Sequence, residues 1–187
     1  MGDEEYTFVN RKGFHSLNVQ MMCDAKYKIT NVVARWPGST HDSAILHASV
    51  IGDLFENGRL AGVLLGDTGY ALRPWLMTPY LEPHTRGEQR FNSSLKQTRV
   101  IIEQVFGQVK RRFPCLATGL RVSPRRASTI IIACAILHNK AKEFGEADMP
   151  EEDAPAEIEV EVPPYNGPVH DGRLFREQIV LQHFSNI

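Results

Sequence analysis

The sequence predicts an α/β fold in which a mixed sheet is flanked by helices. Three observations predict it: two β-patterned runs near the N-terminus, a short apolar run ending at Asp67, and two stretches of helical periodicity after residue 95. At 187 residues the chain is long enough for one domain with a core and a tail. A hydrophobic share of 42% against 23% charged residues excludes global disorder.

The elements follow in order. Phe14 to Cys23 alternates imperfectly and reads as a strand, Lys28 to Trp36 reads as a second, and Asp24 to Lys26 between them makes a hairpin. Pro37-Gly38-Ser39-Thr40 breaks the chain. Asp42 to Phe55 then has helical spacing through Ile45, Leu46, Val50 and Leu54, with Ser39, Thr40 or Asp42 available as its cap. Gly62 to Leu65 is a short buried strand that delivers Asp67, and Gly69 permits a sharp turn after it. Pro74, Pro79 and Pro83 make the next stretch rich in loops, anchored by Trp75, Met77 and Tyr80. Helix resumes from Leu95 to Phe113 and stops at Pro114. A further helix, Arg126 to Phe144, is apolar nearly all round and is expected at the centre of the core. Residues 146–168 are acidic and Pro-rich, as a flexible linker is. Arg173 to Phe184 reads as a short amphipathic helix with Leu174, Ile179 and Leu181 available to dock. The organisation expected is thus a domain over 1–145, a linker over 146–168 and a C-terminal amphipathic segment over 169–187.

Charge is distributed unevenly. Residues 1–145 hold 19 Lys and Arg against 12 Asp and Glu, whereas residues 146–187 hold 2 against 10. A basic body therefore carries an acidic tail. Within the body, residues 86–126 carry ten basic residues against two acids, Glu88 and Glu103, a surface that suits a phosphate backbone. A solvated cationic surface offset by the tail folding back is the alternative. No apolar run approaches the ~20 residues of a membrane span, and the acidic N-terminus has no hydrophobic segment, so neither a membrane partner nor a signal peptide is expected. Cys23, Cys115 and Cys134 lie far apart and make no metal-ligand spacing, which points to a reducing compartment.

Two carboxylates stand out. Asp67 in LLGDTGY emerges at the C-terminal end of a strand, where α/β sheets place ligands, or it serves as a turn residue bonding its own backbone. Glu103 is a lone acid in a cationic row of Lys96, Arg99 and Lys110, at the edge of the stripe made by Ile102, Phe106, Val109 and Phe113. Its alternative role is an ion pair with Arg99 one turn earlier. A strand-end acid and a helix acid are what metal-dependent phosphodiester chemistry brings to one divalent ion. Gly107 hints at a close approach to this helix. His41-Asp42 offers accessory ligands or a helix cap, and His138 reads as a core histidine. No P-loop, GxSxG or GxGxxG is present.

Taken as an ordered set, NRKGFHSLNVQMMCD (10–24), WPGSTHDSAIL (36–46), LLGDTGY (64–70), RPWLMTPY (73–80), the 98–113 helix and IIIACAILHN (130–139) resemble the nuclease domain of Harbinger transposases, a branch of the DDE superfamily. The resemblance spans about residues 6–145 and extends to the tail near His183-Phe184-Ser185. It implies an RNase H-like fold, DNA as substrate, a divalent cation (Mg²⁺ or Mn²⁺), and Asp67 and Glu103 as the second and third acids of the triad; within the basic 86–126 region Lys96, Arg99, Lys110, Arg111 and Arg112 are the expected phosphate contacts. It also implies a separate Myb-like DNA-binding partner protein and residence in both nucleus and cytoplasm. The family's first aspartate lies upstream of the NRKG segment, and Asp3, Glu4 and Glu5 match the loop that follows it. The expectation is a domain lacking its first strand, with metal binding and DNA cleavage weak or lost. A non-catalytic module that binds DNA or a partner protein is the other reading.

Overall fold

A computed structural model describes residues 5–10, 13–148 and 172–185. Asp3, Glu4, Arg11, Lys12 and the linker from 149 onward lie outside the described residues, as does any strand before them. The chain forms two compact units, one from Met1–Thr40 with Ile101–Glu159 and the other from His41–Val100 with Val160–Ile187. Both are α/β in class. No described helix is long and apolar enough to cross a membrane.

In the first unit a turn of 3-10 helix, Glu5–Phe8, precedes strands β1 (Leu17–Cys23) and β2 (Ile29–Pro37), which pair antiparallel with Gln20 opposite Val33. The hairpin expected at Asp24 forms because Asp24 Oδ1 accepts from the amides of Lys26 at 2.8 Å and Lys28 at 3.0 Å. Tyr27 takes the left-handed conformation, φ 63°, that closes this turn. A short helix, α4 (Cys115–Thr118), and the long α5 (Pro124–Glu143) complete the unit. Proline at the first helical position starts α5 at no cost in hydrogen bonds. Ile29, Val105, Val109 and Ala135 make the core, with Met21, Val32, Ile102 and Phe113 against it. The all-round burial expected of α5 is not found: Ile131, Cys134, Ala135 and His138 face inward, whereas Ile132, Ile136 and Leu137 are exposed. Apolar composition alone does not say how much of a helix its neighbours cover.

The second unit opens with two helices where one was expected. α1 (Asp42–His47) and α2 (Val50–Glu56) break at Ser49, whose Oγ donates to the Leu46 carbonyl at 2.6 Å and accepts the Gly52 amide at 3.1 Å. The serine thus ends one helix and caps the next. Gly52 is required there, since a Cβ would stand 2.1 Å from the Leu46 oxygen. Strands β3 (Leu64–Leu65) and β4 (Leu76–Met77) pair parallel. The described residues therefore hold two separate two-stranded sheets, one antiparallel and one parallel, rather than the single mixed sheet expected.

Helix α3 (Arg86–Arg112) is longer than the periodicity indicates and passes from the second unit into the first. Its early start is a capping box: Thr85 Oγ1 accepts the Glu88 amide at 3.1 Å, while Glu88 Oε2 accepts those of Thr85 at 3.0 Å and His84 at 2.6 Å. These bonds hold the Glu88 carboxyl below its ordinary range. Helix α6 (Gly172–His183) docks by Val180, Ile179 and Phe184 onto Leu72, Met77, Phe91 and Leu95. Leu174 and Leu181, expected to dock, are exposed.

Candidate functional site

Asp67 follows β3, one residue after Gly66. A Cβ at Gly66 would stand 2.9 Å from the Tyr70 ring and 3.2 Å from Leu76, so a larger residue would make these side chains shift where the 66–70 turn folds over the strand end. The Gly66 amide donates to Met77 at 2.9 Å, which keeps the turn in line with β4. Asp67 then does two things with its two oxygens. Oδ1 accepts the Gly69 amide at 2.9 Å, the local turn bond, and Oδ2 lies 3.3 Å from Nη2 of Arg99. The turn and the charged contact coexist. Farther along, the Ala71 amide donates to Ser43 Oγ at 3.2 Å, so the first turn of α1 steadies the loop that bears Asp67.

Arg99 projects from α3 one turn after Leu95, which is buried in the second unit's core. Its ion pair is with Asp67, not the one within the helix that the spacing to Glu103 offered. Glu103 is an exposed residue of α3, in the part that belongs to the first unit. Gly107 marks no ligand approach: the group over it is the Arg111 guanidinium, with Nη1 3.1 Å from where a Cβ would stand. Arg112 is committed to the start of the acidic tail, 2.8 Å from Glu146 and 3.7 Å from Asp148, and Lys142 lies 2.7 Å from Asp148. Lys96 is exposed and Lys110 half-buried.

His41, not Ser39, Thr40 or Asp42, is the N-cap of α1. Its Nδ1 accepts the Ser43 amide at 3.4 Å, and Asp42 becomes the first helical residue. His41 also lines a cleft of about 370 Å³ with His47, Asp53, Glu56, Arg73 and Trp75. Trp75 stacks on Phe55 at 5.3 Å and donates its indole N–H to Glu56 at 3.0 Å. In the sequence Trp75 reads as a loop anchor and, with Arg73, lies in the RPWLMTPY segment; Glu56 lies in no segment that marks it.

The family model described as "DDE superfamily endonuclease" matches residues 1–139. The chain belongs to the Harbinger-derived DDE endonuclease family. It is 38% identical, over 97% of its own length, to the proteins named "Putative nuclease HARBI1" of Bos taurus and Homo sapiens. It is 28% identical, over 66% of its length and 34% of the other chain, to "Protein ALP1-like" of Arabidopsis thaliana. The chain spans about half, 54%, of the length of the HARBI1 proteins. No solved structure matches it.

DDE endonucleases generally use divalent metals, so the donor set matters. Among the described residues no three His, Cys, Asp or Glu side chains are grouped to hold a metal ion. At Asp67 the donor set is one carboxylate with both oxygens engaged and a guanidinium against one of them. As they stand, these residues do not fit a metal site.

Proposed function

We propose that the chain is the acid-bearing part of a DNA endonuclease with an RNase H-like fold, in which Asp67 and Glu103 are the second and third acids of a DDE triad. The observation that carries this is the place of Asp67: just past the end of a strand in a parallel pair, held in a turn by its own bond to the Gly69 amide and faced by a cation from α3. The role of Glu103 rests on the family pattern. Hydrolysis of a phosphodiester asks for carboxylates that gather positive charge where the oxyanion develops and for basic groups that hold the backbone. In this chain Lys96, Arg99, Lys110 and Arg111 would supply backbone contacts, with Arg112 shared between DNA and the tail. A Myb-like DNA-binding partner and residence in both nucleus and cytoplasm belong to the same reading.

The test is nicking of supercoiled plasmid in Mn²⁺ by the chain, by Asp67→Asn and by Glu103→Gln. Weak nicking that either substitution abolishes, with melting temperature unchanged, is expected. Equal nicking by all three proteins removes both acids from the site.

A second reading is favoured by the Arg99 guanidinium on Asp67: a non-catalytic module that binds DNA or an acidic partner. It predicts metal-independent DNA binding, no nicking under any condition, and loss of binding when Lys110 and Arg111 are reversed in charge.

A further inference from the structure

We propose that Arg99 is the built-in counter-cation of Asp67, and that a divalent cation reaches this carboxylate only by displacing the guanidinium. The inference rests on reading Asp67 as a metal ligand and concerns how that ligand is regulated.

The pair is made by two fixed supports. On one side, the Gly69 amide holds Oδ1 at 2.9 Å and so sets the carboxylate's rotation, leaving Oδ2 for the second partner. Ser43, through the Ala71 amide, restrains the same loop from α1. On the other side, α3 is capped at Thr85 and Glu88 and tied to the chain at Tyr80 by Asn92, whose Nδ2 donates to the Tyr80 carbonyl and whose Oδ1 accepts its amide, both at 2.9 Å. Phe91 and Leu95 bury that stretch of helix in the core, and Arg99 follows one turn on.

The contact is also partly shielded. The side chains of Arg99 and Asp67 are only 24% and 26% exposed, so salt screens this pair less than a surface pair. A divalent ion at Oδ2 would meet a fixed positive charge on the same oxygen, and it would have to swing the guanidinium out first. An oxygen-seeking ion that demands near-octahedral geometry gains little from one half-used carboxylate.

Mn²⁺ titration of the whole chain by calorimetry, followed independently by the loss of free-Mn²⁺ signal in electron paramagnetic resonance, tests this without any nuclease assay. Arg99→Gln should bind Mn²⁺ about tenfold more tightly than the natural chain, the scale set by one partly shielded charge pair. The gain should vanish in Arg99→Gln with Asp67→Asn. Arg99→Lys, which keeps the charge on a more flexible stem, should fall between and guards against a fold lost with glutamine. Unchanged or weaker binding by a folded Arg99→Gln overturns the proposal. If the natural chain and Arg99→Gln bind alike and Asp67→Asn abolishes both, Asp67 is a ligand and Arg99 is no barrier. If Asp67→Asn changes binding in neither background, the ligand reading falls and the barrier with it.

Discussion

The Asn139 side chain satisfies both backbone groups of Ile29. Its Nδ2 donates to the Ile29 carbonyl at 2.8 Å and its Oδ1 accepts the Ile29 amide at 2.8 Å. A side-chain amide from α5 thereby acts as one rung of a strand at the start of β2. Asn92 treats Tyr80 in the same way at 2.9 Å, so each unit has one asparagine clamp between a helix and an extended segment.

Replacing Asn139 should therefore cost more than its helix propensity suggests. Asn139→Ala removes two hydrogen bonds and leaves the partly buried Ile29 groups unmet, a loss of about 2 kcal/mol. Asn139→Asp should also destabilise, because a carboxylate cannot donate to the Ile29 carbonyl. Urea midpoints of the two variants check this; an unchanged midpoint for Asn139→Ala would remove the clamp from the account of stability.

Docking of α6 makes a separate prediction. Gly172 meets the chain at Arg73, where a Cβ would lie 2.7 Å from the Arg73 carbonyl carbon and 2.8 Å from its nitrogen. Backbone atoms cannot yield as a side chain can. Gly172→Ala should destabilise the second unit by about 1–3 kcal/mol through overpacking. Limited proteolysis should then cut within α6 faster than in the natural chain. Arg176, which donates to the carbonyls of Thr78 at 2.9 Å and Pro79 at 3.1 Å and lies over the Tyr80 ring at 3.6 Å, secures the same interface.

These contacts show where the sequence was legible. The hairpin at Asp24, both long helices and a short strand before Asp67 follow from local pattern, because turn chemistry and apolar period act over a few residues; that strand is shorter than Gly62 to Leu65, and it is not the buried strand expected, since Val63 and Leu65 are exposed. The capping box at Thr85 and Glu88 was also there to be read, and it would have started α3 nine residues earlier. The two asparagine clamps were not, for the partner of Asn139 lies 110 residues away and that of Asn92 is an extended loop. The break at Ser49 depends on which carbonyl the serine reaches, which periodicity through Ile45 and Val50 conceals. Asp67 and Glu103 were visible as unusual acids, but the guanidinium on Asp67 was not, since Arg99 had a nearer apparent partner in sequence.

The acidic tail and the basic body meet at Arg112, which gives a prediction about DNA. Glu146 and Asp148 hold Arg112 and Lys142 against the tail's first residues. Removing both acids, Glu146→Gln with Asp148→Asn, frees up to two cations for phosphate. DNA affinity should rise, and the slope of log affinity against log salt should steepen by about 1 to 2. Fluorescence anisotropy with a labelled duplex at several salt concentrations measures both. An unchanged slope would mean that neither Arg112 nor Lys142 reaches DNA.

His138 sets the last prediction. It is fully buried on the inner face of α5. Burial first, then the positive charges of Lys142 and Arg112, push its pKa below the ordinary 6.5, and Asp148 and the Tyr27 backbone oppose them in part. In the folded chain the imidazole therefore stays neutral at a pH where the unfolded chain has already taken up a proton. Stability from this group is present above the unfolded value near 6.5 and is lost as pH falls below it, because the unfolded state then binds more protons. The slope can reach no more than about 1.4 kcal/mol per pH unit, the limit for one proton. His138→Met keeps an apolar group of similar reach and removes the titration. Urea unfolding at about pH 7.5 and about pH 5.5 should show the natural chain losing more stability between the two than the variant does. Equal losses would mean that protonation of His138 does not oppose folding.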